Sequence, residues 1–104
     1  MRVGLHTRLL AGAEQEYEDL HRAVPTELRD AIMSAGFSDW VIFRDGLDLF
    51  HCITVDDYDA AIAAIAELPV NETWQAQVGR LAEVAHDYSG DASDRMTMVW
   101  DLAW

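Results

Sequence analysis

Residues 39–55, DWVIFRDGLDLFHCITV, constrain the fold more than any other part of the chain. Two runs rich in β-branched and aromatic residues flank Asp45-Gly46. That dipeptide favours a tight hairpin turn, because both residues tolerate positive φ. Alternation places Trp40, Ile42 and Arg44 on one face of the first strand and Val41 and Phe43 on the other. Apolar residues on both faces mean that both sides of the sheet must be covered.

The flanking segments alternate in type. RVGLHTRLL (2–10) carries Val3, Leu5, Thr7 and Leu9 on one parity, the pattern of a strand. AGAEQEYEDLHRAV follows as a helix whose acidic first turn suits the helix dipole. Proline lacks an N–H, so Pro25 kinks the helix or restarts it at its first turn. Helical spacing continues through Leu28 and Ile32 and stops at Gly36, the expected C-cap. After the hairpin, DDYDAAIAAIAELP repeats Tyr58, Ile62, Ile65 and Leu68 at helical spacing until Pro69. Asn71 is expected to cap a further helix through Trp74, Val78, Leu81, Ala85 and Tyr88. SGDASD reads as a polar loop and RMTMVWDLAW as a last strand.

The expectation is therefore an α+β, ferredoxin-like βαββαβ order with an extra helix, in one domain spanning 1–104. Helices cover one sheet face. A second subunit packing sheet against sheet would cover the other, which predicts a homodimer with a pocket between sheet and helices. Trp100 and Trp104 would then pack at the dimer contact.

Charge narrows the partners. The chain carries 19 acidic and 7 basic residues, for a formal net charge of −12, and every basic residue is arginine. No basic patch is available for nucleic acid or an anionic membrane. An uncharged substrate such as a sugar meets no electrostatic barrier. The single cysteine, Cys52, reads as a small core residue. No segment reads as a signal peptide or a membrane span, so the expected location is cytoplasmic.

Familiar catalytic motifs are missing: there is no nucleophile elbow, phosphate loop, CxxC pair or HExxH. The four histidines, His6, His21, His51 and His86, lack metal-ligand spacing, so no metal is expected. His6 and His51 read as satisfied histidines at a sheet edge or dimer contact, and His86 as a helix-terminal dipole partner. His21 stands apart. Tyr17 lies one turn before it on the same helix face, and Pro25 opens room one turn after it. On spacing alone the pair could be a packing face or a ligand site.

EYEDLHRAVPTEL, then MSAGFSDWVIFRDGLDLFHCITVDDYDAAIA, LPVNETW and the closing VWDL together resemble the L-rhamnose mutarotase family. The resemblance implies a dimeric α+β barrel that interconverts the α and β anomers of a 6-deoxy hexose with no cofactor or metal. It makes His21 the catalytic acid and Tyr17 a substrate contact, with Trp40, Trp74 and Gln75 lining the pocket. Two positions depart from the family pattern. Trp40 stands where tyrosine is common, and Trp74-Gln75 stands where two adjacent tryptophans are common, so the sugar is L-rhamnose or a related one.

Ring opening needs one proton delivered to the ring oxygen and another taken from the anomeric hydroxyl. An imidazole with a pKa of about 6.5 can donate and accept near neutrality, so His21 would protonate the ring oxygen while a second group or an ordered water takes the anomeric proton. Asp101 is the candidate for the second group. Competing readings are another enzyme of the dimeric barrel class, a cofactor-independent monooxygenase or cyclase, and a non-catalytic ligand-binding dimer.

Overall fold

The structure, a computed structural model, describes residues 1–88 and 94–104. The elements are β1 (Arg2–Leu9), α1 (Glu14–His21), α2 (Thr26–Ser34), β2 (Phe37–Asp45), β3 (Asp48–Val55), α3 (Tyr58–Ala66), α4 (Pro69–Gly79) and β4 (Ala82–Val84). They build a four-stranded antiparallel sheet in the order β2-β3-β1-β4, with the helices on one face. No helix among the described residues is long and apolar enough to cross a membrane.

The hairpin forms as expected, one residue later than the Asp-Gly pair suggests. Asp45 still pairs with Asp48, and the turn residues are Gly46, at φ 61°, and Leu47. Pro25 restarts the helix: α1 ends at His21 and Pro25 is the N-cap of α2. Gly36, at φ 112°, follows the end of α2 and allows the chain to turn into β2. Asp57 caps α3 by accepting from the Ala60 N–H. Pro69, at N1 of α4, supplies the preset φ that starts the last helix.

Three expectations fail, the first two for tertiary reasons and the third through strand parity. The last helix ends at Gly79 rather than running to Tyr88, and Asn71 is buried inside it rather than capping it. Residues 82–84 instead pair with Arg8 and Leu9, and the Leu81 carbonyl accepts from Leu10. The open edge of β1 is satisfied by this pairing, which overrides the helical spacing.

The closing strand does not form either. Arg95 makes one bridge to Leu5, with Met96 N–H donating to Gly4 and His6 N–H to Asp94. That uses the middle of the β1 edge, and residues 97–104 run on without a strand partner among the described residues. Of the expected polar loop at 89–94, all but Asp94 lies outside the described residues. Finally, Cys52 is exposed, because strand parity turns it away from the helices.

The inward face of β1 and β3 holds two apolar clusters. One gathers Val3, Leu5, Ile53 and Val55 with Phe37 and the inner face of α3. The other gathers Leu9, Leu49, Ala13 and Leu81, with Tyr17 and Leu20 of α1 packed against it. Between them, on the same face, sit Thr7 and His51, both buried. The apolar packing is interrupted where these two polar side chains lie, and the cavity opens above them.

Candidate active site

A cavity of about 570 Å³ lies between the sheet and α1, α2 and α4. All five residues singled out in the sequence line it: Tyr17, His21, Trp40, Trp74 and Gln75. Asp101 is not among its lining residues; it pairs with Arg2 at 3.4 Å.

His21, the last residue of α1, is fixed by its own helix. Its Nδ1 lies 2.8 Å from the Tyr17 carbonyl oxygen, which can only accept, so Nδ1 carries the hydrogen. The neutral ring then has its lone pair on Nε2. The Tyr17 ring lies alongside, with centroids 4.1 Å apart, and Trp74 meets the imidazole edge-on at 5.1 Å. Burial lowers the His21 pKa below the ordinary value, against a smaller opposing effect of the Tyr17 carbonyl. Burial likewise pushes the Tyr17 phenol up to about 12. At neutral pH the pair is a neutral base beside a neutral phenol.

The sheet side holds groups that spacing did not single out. The Trp40 indole N–H donates to His51 Nδ1 at 3.1 Å, and His51 Nε2 lies 2.9 Å from Thr7 Oγ1. Burial, with repulsion from the other histidines as a smaller effect, lowers the His51 pKa to about 3. His51 is therefore a buried neutral ring on a central strand, not an edge or dimer-contact histidine.

His86 follows β4 rather than ending a helix. Its Nε2 is 3.0 Å from the Tyr58 hydroxyl, and burial lowers its pKa to about 4. The Tyr88 ring lies tilted against it, with centroids 4.3 Å apart, and its hydroxyl accepts from the Gln75 amide at 3.1 Å. Gln75 is thus held against an aromatic ring brought in from beyond β4.

One of these residues was signalled by the sequence. His51 shares parity with Leu49, Ile53 and Val55, and a histidine on an otherwise apolar inward face needs buried partners. His86 and Tyr88 had no such signal, because the segment carrying them was read as helix. His6 does face away from the cavity, 2.9 Å from Asp48, which supports the satisfied reading. Among the described residues, no group of three or more His, Cys, Asp or Glu side chains could hold a metal ion.

A ferredoxin-like sheet roofed by helices, over a pocket lined by imidazoles, indoles and phenols together with Arg22, Arg29 and Asp39, defines a small α+β protein with a ligand-sized cavity. The chain belongs to the L-rhamnose mutarotase family: the family model matches residues 2–102. The L-rhamnose mutarotase of Burkholderia orbicola is 36% identical over 87 residues, covering 82% of this chain and 83% of the relative. The crystal structure of the L-rhamnose mutarotase from Formosa agariphila superposes with a TM-score of 0.78 at 22% identity, covering 98% of each chain. A type-II polyketide cyclase, tetracenomycin F2 cyclase from Streptomyces glaucescens, shares the fold at a TM-score of 0.66 and 19% identity, covering 97% of this chain and 95% of that one.

Proposed function

We propose that the protein is an isomerase that interconverts the α and β anomers of L-rhamnose or a related 6-deoxy sugar. The observation that carries this is His21, whose Nδ1 is held by the Tyr17 carbonyl while the ring borders a cavity large enough for a monosaccharide. The family match and the relatives support the same activity.

The chemistry follows from the tautomer. The Nε2 lone pair takes the proton from the anomeric hydroxyl as the C1–ring oxygen bond breaks, and C1 becomes an aldehyde. The resulting imidazolium protonates the ring oxygen. O1 and the ring oxygen are both bonded to C1, so one nitrogen can serve both, and no carboxylate is required. Rotation about C1–C2 and reclosure on the other face complete the exchange, with the proton transfers reversed. General acid–base catalysis of this kind contributes about 10²–10⁴-fold.

Tyr17 positions the sugar beside His21. Trp40 and Trp74 offer apolar faces to its C–H groups and 6-methyl, and the Gln75 amide adds a polar contact.

The functional unit is a homodimer. Val41 and Phe43 are 39% and 61% exposed on the sheet face away from the helices. Trp100, Leu102 and Trp104 are 68%, 82% and 77% exposed. A second copy would bury this apolar surface. The exposed free thiol of Cys52 suits the reducing cytoplasm.

Saturation-transfer NMR tests the activity. Saturating one anomeric proton of L-rhamnose dims the other only when exchange is fast. Transfer with the wild type and none with a folded His21→Ala supports the reading. No transfer from a folded wild type with L-rhamnose, L-fucose or related sugars overturns it.

A further inference from the structure

Thr7, His51 and Trp40 form a hydrogen-bond chain whose direction is set at one end. An indole N–H can only donate, so His51 Nδ1 must be the acceptor of Trp40 and must lack a hydrogen. The neutral imidazole then carries its hydrogen on Nε2, 2.9 Å from Thr7 Oγ1, and donates to that oxygen. The Thr7 hydroxyl is thereby supplied as an acceptor and keeps its own hydrogen to give away. Among the described residues no acceptor for that hydrogen is observed, although Thr7 is only 4% exposed and lines the cavity. A buried donor of this kind calls for a partner.

We propose that Thr7 is a substrate-positioning and specificity residue: its hydroxyl, oriented by Trp40 through His51, donates to a ring hydroxyl of the sugar. This rests on the sugar-isomerase reading above. His21 enters the cavity from α1 and, on that reading, serves the anomeric side of the ring. Thr7 rises from the sheet floor on β1, so it meets the part of the ring away from C1, at the C2, C3 or C4 hydroxyl. The same relay uses up the Trp40 N–H. Trp40 therefore presents a ring face to the sugar, and the hydrogen bond is passed on to Thr7.

Thr7→Val keeps the side chain's shape and removes the hydroxyl; Thr7→Ser keeps the hydroxyl. Anomer exchange is measured for both variants and the wild type with L-rhamnose and its 2-, 3- and 4-deoxy analogues. Affinity is read from the shift of the Trp40 indole N–H signal during sugar titration. Thr7→Val should weaken L-rhamnose binding and lower kcat/KM by about two- to tenfold, the worth of one neutral hydrogen bond. Thr7→Ser should restore both. For the deoxy analogue that lacks the accepting hydroxyl, wild type and Thr7→Val should be equal, which a purely structural role for Thr7 does not produce.

A folded Thr7→Val that matches the wild type on L-rhamnose overturns the proposal. So does a loss of the same size on all four sugars. If Thr7→Val does not fold, Thr7→Ala takes its place. A wild type that binds L-rhamnose without exchanging it removes the mutarotase reading and leaves the binding comparison to decide Thr7. A wild type that does neither removes both.

Discussion

Acid should unfold this protein earlier than its carboxylates alone require, through two buried histidines. His51 has a pKa of about 3 and His86 of about 4, with burial the main cause in each. An unfolded histidine titrates at about 6.5. As pH falls through that value, the unfolded chain binds protons that the folded one refuses. Stability is therefore highest above about pH 6.5 and falls steadily toward pH 4. A pH of 5 is about 1.5 units below the unfolded pKa while both folded rings stay mostly neutral, which at ~1.4 kcal/mol per unit is about 2 kcal/mol for each. The two together cost about 4 kcal/mol, a large part of the ~5–15 kcal/mol available to a small domain. His21, also lowered by burial, adds in the same direction. Asp94, raised by burial, offsets part of it. Glu16 and Asp48 have lowered pKa values and act at more acid pH. The assay is urea denaturation at a fixed protein concentration, followed by circular dichroism between pH 7 and pH 5. The control is the double variant His51→Gln, His86→Gln, whose amides keep hydrogen-bonding capacity and do not titrate. A flat stability profile in the wild type would refute the reasoning, as would an equal slope in the double variant.

The exchange rate itself should follow His21. It should be level near neutrality and fall only as acid protonates the imidazole, with a midpoint below 6.5, as measured by NMR exchange across pH. Trp74, 8% exposed and edge-on to His21, anchors α4; Trp74→Ala should cost about 3 kcal/mol in urea denaturation, near the low end for a large aromatic because one side already borders the cavity. Glycine-to-alanine changes should have opposite signs at two positions in a thermal melt. Gly46→Ala forces a side chain into φ 61° and should cost about 1–2 kcal/mol. Gly79→Ala, in helical backbone with nothing within 4 Å of the added carbon, should gain about 0.5–1 kcal/mol.

What could be read from the sequence depended on whether the deciding interaction was local. The hairpin was legible because its turn and both alternating strands lie within 17 consecutive residues. The break after His21 was legible because Pro25 acts on its own backbone. Tyr17 and His21 were legible as a pair because helix geometry alone places them on one face. The segment 80–88 was not. Its helical spacing is real, but the open edge of β1, some 70 residues earlier, claims residues 82–84 as a strand. That one pairing redirects the chain and brings His86 and Tyr88 over the pocket. No pattern within the segment itself contains that information.

The same distinction separates the two walls of the pocket. The helix wall, with Tyr17 and His21, is set by positions four apart and a carbonyl on the same helix. The sheet wall is set by register. Thr7 on β1, His51 on β3 and Trp40 on β2 are far apart in sequence and meet only because three strands align. Burying a neutral histidine in an otherwise apolar sheet face is costly unless each nitrogen is used, and His51 uses both. The Thr7–His51–Trp40 chain itself carries no full charge and preserves direction in its hydrogen bonds. A wall of that kind can discriminate one hydroxyl of a neutral sugar from another, and an all-apolar wall could not.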